Sequence, residues 1–185
     1  MLRFTLLIAV ILFIGLSSEI YAQDARTQQL VSALDKTKYK KKEKRNISIE
    51  FYIDIKNEAA VRTPSDLAGS YESEDRSNSL SLQVDGNGAA RGSGYDNVRD
   101  HRANFTLKDA SITGALLTAT KVYENGEQRP FEAVFVNRTV RTGKNSESIV
   151  SEDTKFGLGF VETHSSSDGA GNTENWTNRV FLMRR

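Results

Sequence analysis

The sequence predicts an all-β protein, an antiparallel meander that closes into a single small barrel of about eight strands. Three observations support this fold class. Apolar and polar residues alternate from Ile47 to Lys56, which is the period of a half-buried strand. Turn sequences such as Asp85–Gly88 and Asn125–Gly126 recur roughly every ten residues. No helical pattern separates the strands, and closure removes the exposed edges of such a sheet.

The chain begins with the residue order of a secretory signal. Arg3 precedes the run Phe4–Leu16, which is apolar except for Thr5, and the segment that follows, with small residues at Ser17, Ser18 and Ala22, ends at Ala22. That run is too short for an ordinary membrane helix, which needs about 20 residues. We therefore expect residues 1–22 to be removed. The mature protein is expected outside the cytoplasm, in a bacterial periplasm or secreted, with no transmembrane segment.

A helix is expected next, over residues 24–42. Leu30, Ala33 and Leu34 lie on one helical face, and Asp24 stands where a helix start favours an acid. The end of this helix overlaps a strongly basic segment, residues 36–45, whose net charge is +6 in a chain that carries +1 overall. Its basic residues are Lys36, Lys38, Lys40, Lys41, Lys42, Lys44 and Arg45.

The strand at Ile47–Lys56 is expected to be an extra strand that precedes the barrel. Barrel strands are then expected at Leu80–Val84, Ala89–Tyr95, Ala103–Leu107, Ser111–Tyr123, Arg129–Val140, Lys155–Thr163 and Asn175–Met183. Lys108 and Asp109 are expected to form the turn between the third and fourth of these. The chain therefore divides into a signal peptide (1–22), a helical and basic N-terminal extension (23–45) and a β-barrel domain (46–185).

Composition limits the chemistry that the chain can perform. The 185 residues include no cysteine and two histidines, so thiol catalysis, disulfides and cysteine-ligated zinc are excluded. Neither a nucleophile elbow nor a phosphate-binding glycine loop is present. A catalytic role would require His101 or His164 beside an inward carboxylate. We expect a non-enzymatic protein with no metal and no cofactor.

Two segments carry a family resemblance. The first barrel strand opens with Gly69-Ser70-Tyr71, and the last contains Trp176 to Leu182. This pair resembles the calycin group of up-and-down barrels, which includes lipocalins and avidins, over residues 67–183. In that group Gly-x-Trp opens the first strand, and an arginine from the final strand commonly covers the ring. Tyr71 stands here where the group has Trp, and Arg179 is the candidate cover. The resemblance implies an apolar interior and a small ligand.

Eight residues are candidates for the barrel interior: Tyr71, Phe105, Phe131, Phe135, Phe156, Phe160, Trp176 and Arg179. They either line a ligand pocket or fill the core, because a barrel of about eight strands is just wide enough for its own side chains. We expect an exported barrel that binds a small or apolar ligand in its interior. The alternative is a cell-envelope protein that docks on an acidic surface through residues 36–45. Nucleic acid is not an expected partner of an exported protein.

Overall fold

The structure, a computed structural model, describes residues 23–44, 47–98, 101–144, 148–167 and 173–185. Within these ranges the chain is mostly strand, with two short helices. The elements in chain order are α1 (residues 23–34), β1 (Lys36–Lys44), β2 (Ile47–Ala59), α2 (Pro64–Leu67), β3 (Gly69–Glu72), β4 (Asn78–Val84), β5 (Ala89–Val98), β6 (His101–Thr113), β7 (Leu116–Tyr123), β8 (Gln128–Lys144), β9 (Ser148–Ser167) and β10 (Thr173–Arg184).

Strands β3 to β10 form a closed antiparallel barrel of eight strands, which confirms the predicted fold class. Each strand pairs with the next along the chain. The last strand returns to the first through the pairs Met183–Glu72 and Arg184–Tyr71. Strands β1 and β2 lie outside this ring, so the sheet has one more N-terminal strand than the sequence predicted.

The long strand β8 connects the barrel to the outer strands. Its first part, up to Val134, pairs with β7, and its part from Val136 onward pairs with β2. From Val134 onward its opposite edge pairs with β9. Strands β7 and β2 therefore pair with the same edge of β8, one after the other, and β2 takes over where β7 begins at Leu116. The second half of β8 thereby lies in a sheet with β1, β2 and β9 that extends away from the barrel.

The strongest sequence patterns are confirmed. The alternating run that starts at Ile47 is strand β2. The hairpins at Asp85–Gly88 and Asn125–Gly126 both form, with Gly88 and Gly126 at φ of +83°, a conformation that glycine adopts without steric cost.

The predicted helix over residues 24–42 is wrong in its second half. Helix α1 ends at residue 34, and the basic residues from Lys36 to Lys44 lie in strand β1, paired with β2 from Lys36–Ile55 to Lys44–Ile47. Arg45 lies outside the described residues. Asp35 separates the two elements, and its Oδ1 accepts a hydrogen bond of 2.8 Å from the backbone nitrogen of Asn57. Lysine favours helices only weakly, so pairing with a neighbouring strand overrides that preference.

The predicted turn at Lys108 and Asp109 is also wrong. Strand β6 continues through both residues, and the register shifts between Lys108 and Ser111 as at a β-bulge. Asp109 adopts φ of +51°, which aspartate tolerates better than most residues. The actual turn to β7 lies at Gly114, where φ is +61°. A turn-like pair of residues here bends a strand without ending it.

Helix α1 belongs to the same core as the barrel. Leu30, Val31 and Leu34 are buried among the residues that fill the barrel. Leu34 is 1% exposed and lies against β9 so closely that a Cβ at Gly159 would be 2.3 Å from its Cδ1. The Arg26 side chain forms an ion pair with Glu132 on β8. These contacts place α1 across β8 and β9.

Replacing Leu34 with alanine should lower the free energy of unfolding by about 2–4 kcal/mol, because the deletion leaves a cavity between α1 and β9. Val61 is 73% exposed, so Val61→Ala is the control, with an expected change below about 0.5 kcal/mol. Urea titrations followed by circular dichroism measure both values. Equal effects of the two substitutions would show that α1 does not contribute to the folded core.

Candidate functional site

The aromatic residues singled out from the sequence converge in the barrel. Tyr71, Phe105, Phe131, Phe135 and Phe160 are each at most 5% exposed. Phe156 is partly buried and packs against them. The side chain of Trp176 lies outside the described part of the structure. These five buried aromatic residues therefore belong to the hydrophobic core of the barrel.

These rings contact one another closely. The ring centroids of Tyr71 and Phe135 are 5.9 Å apart, and those of Phe135 and Phe156 are 6.3 Å apart in a stacked arrangement. The hydroxyl of Tyr71 donates a hydrogen bond of 2.6 Å to the carbonyl oxygen of Leu67 in α2. Burial raises the pKa of Tyr71 to about 12. The centre of the barrel is thus occupied by its own side chains.

Arg184 on the final strand contacts the segment that leads into the first barrel strand. Its guanidinium donates to the carbonyl oxygens of Asp66 and Ala68, at 2.6 and 3.0 Å, and lies beside Gly69. Arg179, the residue that the calycin resemblance suggested, is exposed, and its Nε donates to the carbonyl oxygen of Ala33 at the end of α1.

A groove of about 850 Å³ lies where the outer sheet leaves the barrel. Its walls come from β1, β2, the turn between β3 and β4, the second half of β8, the first half of β9 and β10. Its lining includes three acidic residues, Glu74, Asp75 and Asp153. At its inner end the groove meets a smaller cavity of about 250 Å³. Four basic and three aliphatic side chains line this inner cavity: Lys36, Lys38, Arg138, Arg179, Leu34, Ile53 and Ile55. Among the described residues, its lining includes no carboxylate.

The basic side chains of the inner cavity act on one another. Lys38, through a side-chain hydrogen bond and its charge, lowers the pKa of Lys36, and the charge of Arg179 acts in the same direction. Burial lowers the pKa of the Arg138 guanidinium. That guanidinium stacks 3.9 Å from the ring centroid of Phe181, and its Nε donates to the neutral Asn57 side chain at 3.0 Å. The cavity therefore concentrates positive charge on an apolar floor.

The two histidines do not form a described catalytic arrangement. His101 lies exposed at the start of β6, and the side chain of His164 is outside the described residues. Within the described ranges, no group of three or more histidine or acidic side chains could hold a metal ion. The acidic residues near the start of the barrel have structural partners. Glu72 forms an ion pair with Arg185, and Asp75 accepts hydrogen bonds from Ser73 and Ser77.

The interior also contains a cluster of one lysine and two acidic side chains that the sequence patterns did not predict. Lys121 on β7 is 2% exposed, and its Nζ lies 2.7 Å from Oδ2 of Asp96 on β5. The same Nζ lies 3.1 Å from Oε1 of Glu162 on β9. Tyr123 donates a hydrogen bond of 2.8 Å to Oδ2 of Asp96. Strand alternation would have found Lys121, because it lies on the same face as Leu117 and Tyr123.

Comparisons with protein-family models, with curated proteins and with solved structures find no match to this chain. The barrel is compatible with a calycin-like fold, and its function must be argued from its own residues. In the described part of the chain, no helix has the length and apolar character needed to cross a membrane.

Substituting Tyr71 with phenylalanine should make the free energy of unfolding fall less steeply between pH 10 and pH 12. The pKa of Tyr71 is raised from 10.0 to about 12, so the folded protein keeps a proton that the unfolded chain has lost in this range. Its stabilising effect is complete below pH 10 and declines as the pH approaches 12. Urea titrations across this range, on both proteins, measure the slope.

Two features make this pH experiment specific to Tyr71. Tyr123, whose pKa burial also raises, is present in both proteins and contributes the same background. The lost hydrogen bond to Leu67 should lower stability by about 1 kcal/mol at every pH and leaves the slope unchanged. If the free energy of unfolding falls with pH equally steeply in the two proteins, the raised pKa of Tyr71 is contradicted.

Proposed function

We propose that this protein is an exported, non-enzymatic β-barrel that binds a small amphipathic anion in the groove beside the barrel. The observation that carries the proposal is the inner cavity, where four basic side chains meet on an aliphatic floor. An anionic head group supplies the counter-charge that such a cluster lacks among its described lining, and charge-assisted hydrogen bonds are the strongest that a protein makes.

The packing of the barrel centre favours the groove over the interior as the binding site. Tyr71, Phe135 and Phe160 are each at most 1% exposed and contact neighbouring rings or aliphatic side chains. A ligand in the interior would have to displace them and break packing that stabilises the fold. The groove is open to solvent, so a ligand can enter it without such a cost.

Arg138 is the residue on which an anion would act most strongly. It is half-buried, and burial disfavours its charge, as the lowered pKa records. The nearby carboxylate of Asp35 already pairs with Lys56. An anion bound beside Arg138 and Arg179 would offset this unfavourable burial, because an opposite charge at close range favours the ionised form.

An apolar tail fits the part of the groove beside the inner cavity, whereas the groove as a whole has a mixed lining that includes Glu74, Asp75 and Asp153. Ile55, Val140 and Phe181 line it next to the inner cavity. Ile55 belongs to both the cavity and the groove, so the aliphatic surface is continuous between them. The proposed ligand class is therefore an anion that carries a short hydrocarbon chain.

Titration calorimetry with decanoate tests this assignment on the mature full-length protein. Decanoate should bind, whereas decanol and decyltrimethylammonium should bind at least about tenfold more weakly because they lack the negative charge. The double variant Lys36→Gln/Lys38→Gln should lower the affinity for decanoate by at least about tenfold.

A matched control separates the groove from overall charge. Arg91→Gln/Lys108→Gln removes the same charge from exposed positions on β5 and β6 and should leave decanoate binding unchanged. Equal weakening by both double variants would indicate nonspecific attraction. If the groove substitutions leave the affinity for decanoate unchanged, decanoate does not bind in the groove and the barrel interior becomes the candidate site. If decanoate does not bind at all, the proposal is refuted.

Docking on an acidic envelope surface is a second candidate function, supported by the position of β1. This strand ends the order of the sheet, so its outer edge has no strand partner among the described residues. Lysine occupies every second position from Lys36 to Lys44. Such an edge suits an anionic surface, although lysines also protect exposed edges from aggregation.

Cosedimentation with vesicles tests this second candidate. Lys40→Gln/Lys42→Gln/Lys44→Gln should reduce binding to phosphatidylglycerol vesicles several-fold, with no binding to phosphatidylcholine in either protein. Substitution is preferable to deletion of the N-terminal extension, because α1 contributes Leu34 to the core. Unchanged binding to phosphatidylglycerol vesicles would eliminate β1 as the docking surface.

A further inference from the structure

The buried cluster of Lys121, Asp96 and Glu162 is the least expected feature of the barrel. The Lys121 and Asp96 side chains are 3% and 5% exposed, and Nζ of Lys121 contacts an oxygen of each carboxylate. Lys121 and Asp96 come from strands β7 and β5, which are separated in the sheet by β6. The contact between them therefore reaches over β6 within the buried interior.

Three phenylalanine rings surround the lysine nitrogen. Nζ of Lys121 lies 4.6 Å from the ring centroid of Phe105, 4.5 Å from that of Phe131 and 4.9 Å from that of Phe160. These rings are themselves at most 5% exposed. They hold the amine against the carboxylates and keep bulk water away from it.

This arrangement is costly if it serves only as an ion pair. Moving two charges out of water can cost more than their mutual attraction returns, and apolar replacements are often equally stable. A neutral amine beside a neutral carboxylic acid avoids that cost, and only one proton transfer separates the two states. An apolar enclosure that excludes water also favours condensation of an amine with a carboxylic acid, because water is a product.

We propose that Lys121 and Asp96 condense into an intramolecular amide bond, an isopeptide cross-link between β7 and β5, with Glu162 as the general base. The nucleophile is Nζ of Lys121, and it lies within hydrogen-bonding distance of both the electrophile, the Asp96 carboxyl group, and the base, Glu162. Such prior alignment is what accelerates an intramolecular reaction.

The reaction needs no external reagent. A proton first moves from the Lys121 ammonium to the Asp96 carboxylate. The nitrogen lone pair then attacks Cγ of Asp96, a C–N bond forms, and Glu162 accepts a proton from the nitrogen. When the tetrahedral intermediate collapses, the C–O bond of Asp96 breaks and the hydroxyl leaves as water with the proton from Glu162. The products are one amide, one water molecule and the regenerated Glu162 carboxylate.

Tyr123 is placed to assist the same step. Burial raises the pKa of its hydroxyl, so the hydroxyl keeps its proton near neutral pH. It donates to Oδ2 of Asp96, the oxygen that Lys121 also contacts. The proton from Lys121 reaches this oxygen, so Oδ2 becomes the hydroxyl that leaves. The hydrogen bond from Tyr123 stabilises the negative charge that develops on Oδ2 as the C–O bond breaks. Tyr123 thus assists departure of the leaving group.

Intact mass spectrometry of the folded, purified protein tests the proposal. The expected mass is lower than the mass of the purified polypeptide's sequence by one water molecule. Proteolysis followed by tandem mass spectrometry should yield a branched peptide that joins the Asp96 and Lys121 segments. An intact mass equal to that of the sequence would overturn the proposal, and so would a branch at Glu162 in place of Asp96.

Substitutions distinguish the roles. Asp96→Ala and Lys121→Met should each restore the full mass expected for the variant sequence. Asp96→Asn should still react but lose ammonia in place of water. Glu162→Gln should fold, as judged by circular dichroism, yet show the full mass, and Tyr123→Phe should accumulate the cross-link more slowly. A complete cross-link in Glu162→Gln would overturn the assignment of the base.

A control variant excludes a general effect of removing a buried phenol. Tyr71→Phe removes a different buried hydroxyl, which donates to the Leu67 carbonyl and does not contact the cluster. It should cross-link at the rate of the unsubstituted protein. Equal slowing in Tyr71→Phe and Tyr123→Phe would contradict the role of Tyr123.

Discussion

Closure of an eight-stranded sheet is the constraint on which the rest of the structure depends, since the enclosed volume must be filled by inward side chains. Strand β5 contributes small residues where β6 contributes large ones. A Cβ at Gly94 would lie 2.0 Å from the Ser79 carbonyl oxygen and 2.9 Å from the Phe105 ring, so only glycine fits. The absence of a side chain at Gly94 on β5 leaves room for the Phe105 ring of β6, so aromatic rings can fill the core.

The same constraint explains why α1 belongs to the barrel. Beyond Val134, β8 exchanges β7 for β2 along one edge, and the strands diverge from the ring. Leu34 packs on Gly159 at this point, and a side chain on β9 there would push the helix away. The N-terminal segment was expected to be an extension, but it supplies part of the core.

Sequence reasoning succeeded where a pattern is local. Alternation located β2, and glycine with asparagine located the hairpins, because both depend on the nearest residues. It failed at β1, where pairing with β2 decided the conformation of a lysine-rich segment. It also missed Lys121, because one polar residue in an apolar alternation gains meaning only when Asp96 and Glu162, distant in sequence, are seen beside it.

Lys36 and Lys38 in the groove and Lys121 in the interior occupy environments with different chemical requirements. Lys36 and Lys38 share a cavity with two arginines and aliphatic walls, and among the described residues that line this cavity none supplies a negative charge. Lys121 has two carboxylates of the same chain in contact and three rings that exclude solvent, so it has no need of an external ligand. Positive charge in the groove therefore argues for binding, whereas positive charge in the interior argues for chemistry within the chain. In a protein without cysteine, disulfides are excluded, and an amide between strands is a covalent link that its residue types permit.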